Sequence, residues 1–290
     1  MPELPEVEHV KRGIEPYAIN TTINKITFSE NVKKGKEDNR ETIIKGMTLD
    51  SFQRLTEGYT ITKIERRSKY IVFYINRDSE QRILISHLGM AGGFFVVDHL
   101  EQIAVPNYRK HWQVIFELDN DKKLIYSDIR RFGEIRNVSS FNAYPSFLSI
   151  APEPFDEDAM QHFLDITNKK NYAKKPIKQV ILDHKVISGC GNNYACEALF
   201  RAGILPSRLT QDLTQQEKEM VFYHVRSVLN EGIKYGGTSI SDYRHADGKT
   251  GEMQLHLNVY KQKYCKVCGH SIETKVIASR NSHYCPTCQK

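Results

Sequence analysis

The chain contains no apolar run that approaches the length of a membrane span, and nothing at its start resembles a basic, apolar secretory signal. A soluble protein of the reducing cytoplasm, with no membrane partner, is therefore expected. Internal repeats and low-complexity tracts are also missing, which argues against solenoids and compositionally disordered arrays. Neither charge sign dominates: 41 Lys and Arg against 35 Asp and Glu leave a formal net charge of +6, which permits a polyanionic partner without demanding one. At 290 residues the chain is long enough for two compact domains and a sizeable core.

Cysteine is scarce, and four of the six stand in two C-x-x-C pairs, Cys265/Cys268 and Cys285/Cys288. That spacing fits a zinc ribbon. Four thiolates on two tight turns close a tetrahedron around one Zn²⁺ and leave no position for a reacting water, so the metal's role is structural. A pair of disulfides is the alternative, and the expected reducing compartment disfavours it. Cys190 and Cys196 lie in apolar surroundings and read as small, inert packing residues.

The first half reads mostly as strands, at 71–75, 82–86, 94–97, 111–118 and 124–127, after a short amphipathic helix carrying Val7, Val10 and Ile14. Asn120 and Asp121 supply a turn between the last two strands. Short strands at this spacing suggest an antiparallel sandwich or barrel. The lysine-rich stretch 31–40 is expected to be an exposed loop. Prolines at 145, 152 and 154 mark an interdomain linker over 144–155. Helices are expected at 158–165, 177–184, 193–201 and 214–234, the last opened by a Thr214/Glu217 capping box. The whole is an α+β chain, divided as 1–143, 156–260 and a ribbon at 261–290.

Three polar concentrations carry candidate chemistry. Gly189-Cys190-Gly191-Asn192 precedes a helix whose N-terminus suits a phosphate, although a plain turn between helices is the more common explanation of a lone G-x-G. Asp128-Ile129-Arg130-Arg131-Phe132-Gly133 follows a strand; Phe132, with Met90 from Ser86-His87-Leu88-Gly89-Met90, suits a wedge between bases, or is simply a hairpin tip. Met1-Pro2-Glu3-Leu4-Pro5-Glu6 reads in isolation as a solvated tail or as the acidic first turn of a helix. With Met1 removed, Pro2 presents a secondary amine that attacks a sugar aldehyde carbon to give an iminium, and Glu3 and Glu6 are neighbouring carboxylates for proton transfer.

Taken with Arg66-Arg67-Ser68-Lys69-Tyr70, the ribbon and Arg280, these motifs resemble the bacterial formamidopyrimidine-DNA glycosylase family from end to end. The resemblance implies a β-sandwich joined to a helical domain with a helix-two-turn-helix motif and a zinc finger. It implies a monomeric base excision repair enzyme acting on damaged double-stranded DNA, with glycosylase and AP lyase activities directed at oxidised purines. On that resemblance Pro2 forms the Schiff base, Glu3 is the general acid, Lys69 serves β-elimination and Arg280 δ-elimination. His111, Arg130 and Asn192 match DNA contacts, Met90, Arg130 and Phe132 the wedge, and 236–253 the loop over the flipped base. The related endonuclease VIII branch, which takes oxidised pyrimidines, is the alternative, and a non-catalytic zinc module for lesion DNA is a second. His184, Asn193 and His270 depart from the family pattern without touching the proposed nucleophile, acid or zinc ligands.

Overall fold

The structure, a computed structural model, describes residues 1–239 and 247–290. It divides into two compact units, residues 1–148 with 236–251, and residues 149–235 with 252–290. The segment 236–251 thus groups with the first unit rather than with the helical 156–260 expected from sequence.

The first unit opens with helix α1 (Leu4–Ala18), whose Val7, Val10 and Ile14 are fully buried, as their helical spacing requires. Strand β1 (Ile23–Phe28) follows, then α2 (Glu30–Glu37), α3 (Leu49–Arg54) and the strands β2 (Thr60–Arg67), β3 (Tyr70–Arg77), β4 (Glu80–His87) and β5 (Gly92–Val97). A short α4 (Pro106–Lys110) leads into β6 (Trp112–Leu118), β7 (Lys123–Asp128) and β8 (Glu134–Val138). Two four-stranded antiparallel sheets result, ordered β1-β6-β7-β5 and β2-β3-β4-β8. Their inner faces share one core in which Phe73 of one sheet meets Phe94 of the other, ring centroids 5.6 Å apart. This is the sandwich option of the sequence reading.

Two expectations need correction here. The stretch 31–40 is largely helical, as α2: Ser29 caps it by accepting the Val32 N–H at 3.4 Å, and Val32 is buried. A single apolar residue among lysines gives no periodicity to read, yet with the Ser29 cap, Glu30 in the first turn and Lys34 and Lys36 in the last it is enough to hold a short helix. The expected linker likewise begins with a helical turn, α5 (Pro145–Leu148), because Pro145 fits a first helical position. Phe147 is buried there against Tyr70 and stacks on Phe141 at 5.1 Å, so this stretch belongs to the first unit.

The second unit holds α6 (Ala159–Thr167), α7 (Lys170–Ala173), α8 (Ile177–Ile181), α9 (Asn192–Arg201) and the long α10 (Gln215–Lys234), then the hairpin β9 (Glu273–Ile277) and β10 (Arg280–Tyr284). The capping box forms as the spacing predicts: Glu217 N–H donates to Thr214 Oγ1 at 3.2 Å and Thr214 N–H to Glu217 Oε2 at 2.8 Å. Helix α8 stops at Ile181, short of the expected 184. Asp183 ends it, its carboxylate accepting the Lys185 N–H and the Tyr172 hydroxyl, each at 2.9 Å, an alternative to helical pairing.

Candidate functional site

In the first unit, Pro2 and Glu3 are buried beneath a Met1 that is 46 % exposed. Glu3 is the N-cap of α1, and a reciprocal capping box with Glu6 fixes it. Glu6 accepts the Glu3 N–H on Oε2 at 2.8 Å and the Thr238 N–H on Oε1 at 2.6 Å. The acidic first turn read from the sequence is therefore a buried network rather than a solvated tail.

Lys69 sits in the two-residue turn between β2 and β3, which Ser68 enters with φ at 57°. Arg66 braces the turn, donating to the Ser68 carbonyl at 3.1 Å and to Glu8 of α1 at 3.0 Å. Burial works to raise the Glu8 carboxyl, but Arg66 and Arg12 outweigh it and hold it below the usual range. Beside the turn, Tyr70 pairs with His87 across β3 and β4. Burial, reinforced by the Lys69 charge, lowers the His87 imidazole to about 4. It is neutral, and its Nδ1 accepts the Gly89 N–H at 3.0 Å.

That acceptor starts the loop carrying Met90, which packs backbone to backbone on the loop carrying Arg130 and Phe132. A Cβ on Gly89 would lie 2.4 Å from the Gly133 nitrogen, and one on Gly133 would lie 1.8 Å from the Tyr126 hydroxyl, so both glycines allow close approach. Asp128 organises the second loop, accepting N–H groups from Arg130 at 3.0 Å and Gly133 at 2.8 Å. Burial nevertheless raises its carboxyl above the usual value. Phe132 is 62 % exposed, with the Arg130 guanidinium 5.4 Å from its ring centre. Met90 also projects to the surface, and the His111 carbonyl accepts the Asp128 N–H at 3.0 Å. Met90, His111, Arg130 and Phe132 thus gather at one end of the β6-β7-β5 sheet.

In the second unit, Asn192 opens α9, and its amide is engaged on both sides. Nδ2 donates to the Asn281 carbonyl at 2.9 Å, and Oδ1 accepts from Lys178 Nζ at 3.0 Å. Lys178, fully buried, also donates to Cys196 Sγ at 2.9 Å and Ser282 Oγ at 3.3 Å. Sequence reading missed this lysine; the available signal was one charge within the apolar run Ile177 to Ile181. It also took Cys196 for inert packing, whereas the thiol is an acceptor. Arg280 begins β10, exposed, directly after a tight turn in which Ala278 and Ser279 have φ of 49° and 58°. Pro2, Glu3, Lys69, Met90, His111, Arg130 and Phe132 therefore lie in the first unit, and Asn192, Arg280 and the four ribbon cysteines in the second.

The four ribbon sulfurs all lie within 4.8 Å of one another. Cys265 and Cys288 are 3.8 Å apart and Cys268 and Cys285 3.4 Å, well beyond the ~2.05 Å of a disulfide. The edge of a tetrahedron with Zn–S bonds of ~2.3 Å is ~3.8 Å, so Cys265, Cys268, Cys285 and Cys288 suit a zinc ion. Their cluster packs on Cys196 and Phe200 of α9. Glu197, buried between those two, holds the entry to the ribbon by accepting the N–H groups of Asn258, Val259 and Tyr260.

Residues 1–135 match the family model of the formamidopyrimidine-DNA glycosylase N-terminal domain, 150–244 the H2TH domain of the same family, and 263–290 a zinc finger found in FPG and IleRS. Formamidopyrimidine-DNA glycosylases from Histophilus somni and an Exiguobacterium species are 34% and 35% identical, over 100% of this chain and 100% of each relative. Among solved structures, the MutM (Fpg) protein from Thermus thermophilus is similar at a TM-score of 0.82 and 31% identity, covering 99% of this chain and 98% of its own. A Lactococcus lactis Fpg mutant in complex with Fapy-dG-containing DNA reaches 0.84 at 32% identity, covering 100% of both. With such relatives along its whole length, the chain belongs to the formamidopyrimidine-DNA glycosylase family.

Proposed function

We propose that this chain is a bifunctional DNA glycosylase and AP lyase that excises oxidised purines, 8-oxoguanine and formamidopyrimidines, from double-stranded DNA. The observation that carries this reading is the buried Pro2-Glu3 pair at the start of α1, beneath an exposed Met1, in a chain so similar to these enzymes. Once Met1 is removed, the Pro2 nitrogen attacks C1′ of the damaged nucleotide as the bond from C1′ to the base breaks and the base leaves. Pro2 gives up its N–H proton, Glu3 delivers a proton to the sugar-ring oxygen as the ring opens, and the open sugar is held as an iminium. Lys69 serves phosphate contact and β-elimination, and Arg280 δ-elimination. Met90, Arg130 and Phe132 fill the gap left by the flipped base, which offsets a few kcal/mol of unstacking. His111 and Asn192 contact DNA.

Residues 236–253 cover the flipped base in this reading; 240–246 lie outside the described residues. The cysteines hold one structural zinc, the protein acts as a monomer, and its place is the cytoplasm, with the nucleoid DNA. Functionally, 1–143 is the catalytic part, 156–260, apart from the 236–251 segment that groups with the first unit, the helical part, and 261–290 the zinc finger. Borohydride reduction in the presence of an 8-oxoguanine duplex is expected to give a covalent adduct mapping to Pro2, and Glu3→Gln to stall excision while DNA binding persists. Active protein that never traps sinks the mechanism. Faster cutting of thymine glycol than of 8-oxoguanine places the chain with the endonuclease VIII branch instead.

A further inference from the structure

The two described ends of the segment 236–251 are fastened by short contacts within the first unit. Gly237 has φ at 79°, and a Cβ there would lie 2.9 Å from both Cγ and Oε1 of Glu6. Thr238 donates its N–H to that same Oε1 at 2.6 Å, with Thr238 6% and Glu6 2% exposed. From the other end, Gly251 backs onto this foot. A Cβ on Gly251 would meet the Gly236 and Gly237 carbonyl oxygens at 2.2 Å, and its N–H donates to Ser239 Oγ at 2.9 Å.

The second oxygen of Glu6 accepts the Glu3 N–H at 2.8 Å, one residue past Pro2. Two N–H donors, one three residues before Glu6 and the other 232 residues beyond it, thus converge on one buried carboxylate. A carboxylate accepts both without offering a proton; a glutamine must turn its NH₂ toward one of them. The chain of contacts Gly251, Gly237-Thr238, Glu6, Glu3 is buried at every member.

We propose that Glu6 is a positioning residue through which the foot of the 236–251 segment sets the geometry of Pro2, so that the nucleophile is aligned only when the foot is seated. This rests on Pro2 as nucleophile. A segment that only reads the base has no influence where the base is already gone. A segment coupled through Glu6 governs the chemistry at an abasic site as well.

The test measures borohydride trapping in single turnover, with the full-length zinc-loaded protein saturated by a duplex carrying a natural abasic site, beside an 8-oxoguanine duplex. Gly251→Ala pushes a methyl group against two carbonyls of the foot. Since a misplacement of ~1 Å can cost up to ~100-fold in rate, trapping at the abasic site should slow on the order of tenfold, with affinity for that duplex unchanged. Ser239→Ala removes the hydroxyl that accepts the Gly251 N–H, and should shift the rate in the same direction by less. Variants that trap abasic DNA at the wild-type rate, while losing 8-oxoguanine excision, overturn the coupling. So do rates that fall only in step with affinity and thermal stability. A wild type that traps on neither DNA refutes Pro2 as nucleophile, a separate outcome.

Discussion

Glu197→Gln tests how firmly the ribbon is joined to α9. The Glu197 carboxylate is fully buried and accepts four N–H groups: Val259 at 2.9 Å and Tyr260 at 2.8 Å on Oε1, Asn258 N–H at 2.8 Å and its side-chain amide at 3.1 Å on Oε2. Glutamine keeps the shape but converts one oxygen into an NH₂ group facing donors. Two hydrogen bonds disappear and two donors are stranded, at about 1–3 kcal/mol for each buried group, so roughly 3 kcal/mol of stability is lost. With about 2–4 °C per kcal/mol for a chain of this size class, the thermal midpoint falls by roughly 10 °C. The assay is equilibrium unfolding in saturating zinc, paired with a zinc competition titration in which the variant binds more weakly. A loss below about 0.5 kcal/mol would mean that water reaches these donors and the carboxylate is no anchor.

Three further outcomes follow from the geometry. His87 holds its imidazole at about 4, against about 6.5 unfolded, so the unfolded chain takes up a proton that the folded one refuses. Stability is therefore full above pH ~6.5 and declines as pH falls toward ~4, by up to roughly 3 kcal/mol, and His87→Gln should flatten that slope in denaturant titrations at several pH values. Removing zinc with a chelator, or Cys268→Ala, should unfold the ribbon and weaken DNA binding; unchanged affinity after confirmed zinc loss contradicts the scaffold role. Phe132→Ala should leave stability within about 0.5 kcal/mol, the ring being 62 % exposed, while duplex excision slows on the order of tenfold. An equal slowing on single-stranded substrate refutes the wedge.

What could be read from the sequence was written in short spacings. The paired cysteines, the Thr214 capping box and the Val7, Val10, Ile14 stripe each state their chemistry within a few residues. Strands whose pattern is broken escaped: β2 and β1 each carry a register shift that interrupts the period of two, and β9 buries only Ile277. Polar groups that act across the chain escaped too. Glu197 reaches residues more than sixty positions away and Lys178 reaches Ser282, distances at which no local pattern reports a partner. Glu6 was read as a carboxylate near the nucleophile, and only the fold reveals that it also holds Thr238.

The buried ammonium of Lys178 bears on how the second unit folds. It comes from α8 and reaches Asn192 and Cys196 in α9 and Ser282 in β10, so three segments meet at one charge whose contacts are all neutral. Stranding such a charge is costly, so none of the three segments can detach without penalising the other two. The ribbon is then not expected to behave as a detachable module: this part of the second unit should unfold cooperatively, with zinc binding and the order of the Asn192 turn thermodynamically linked.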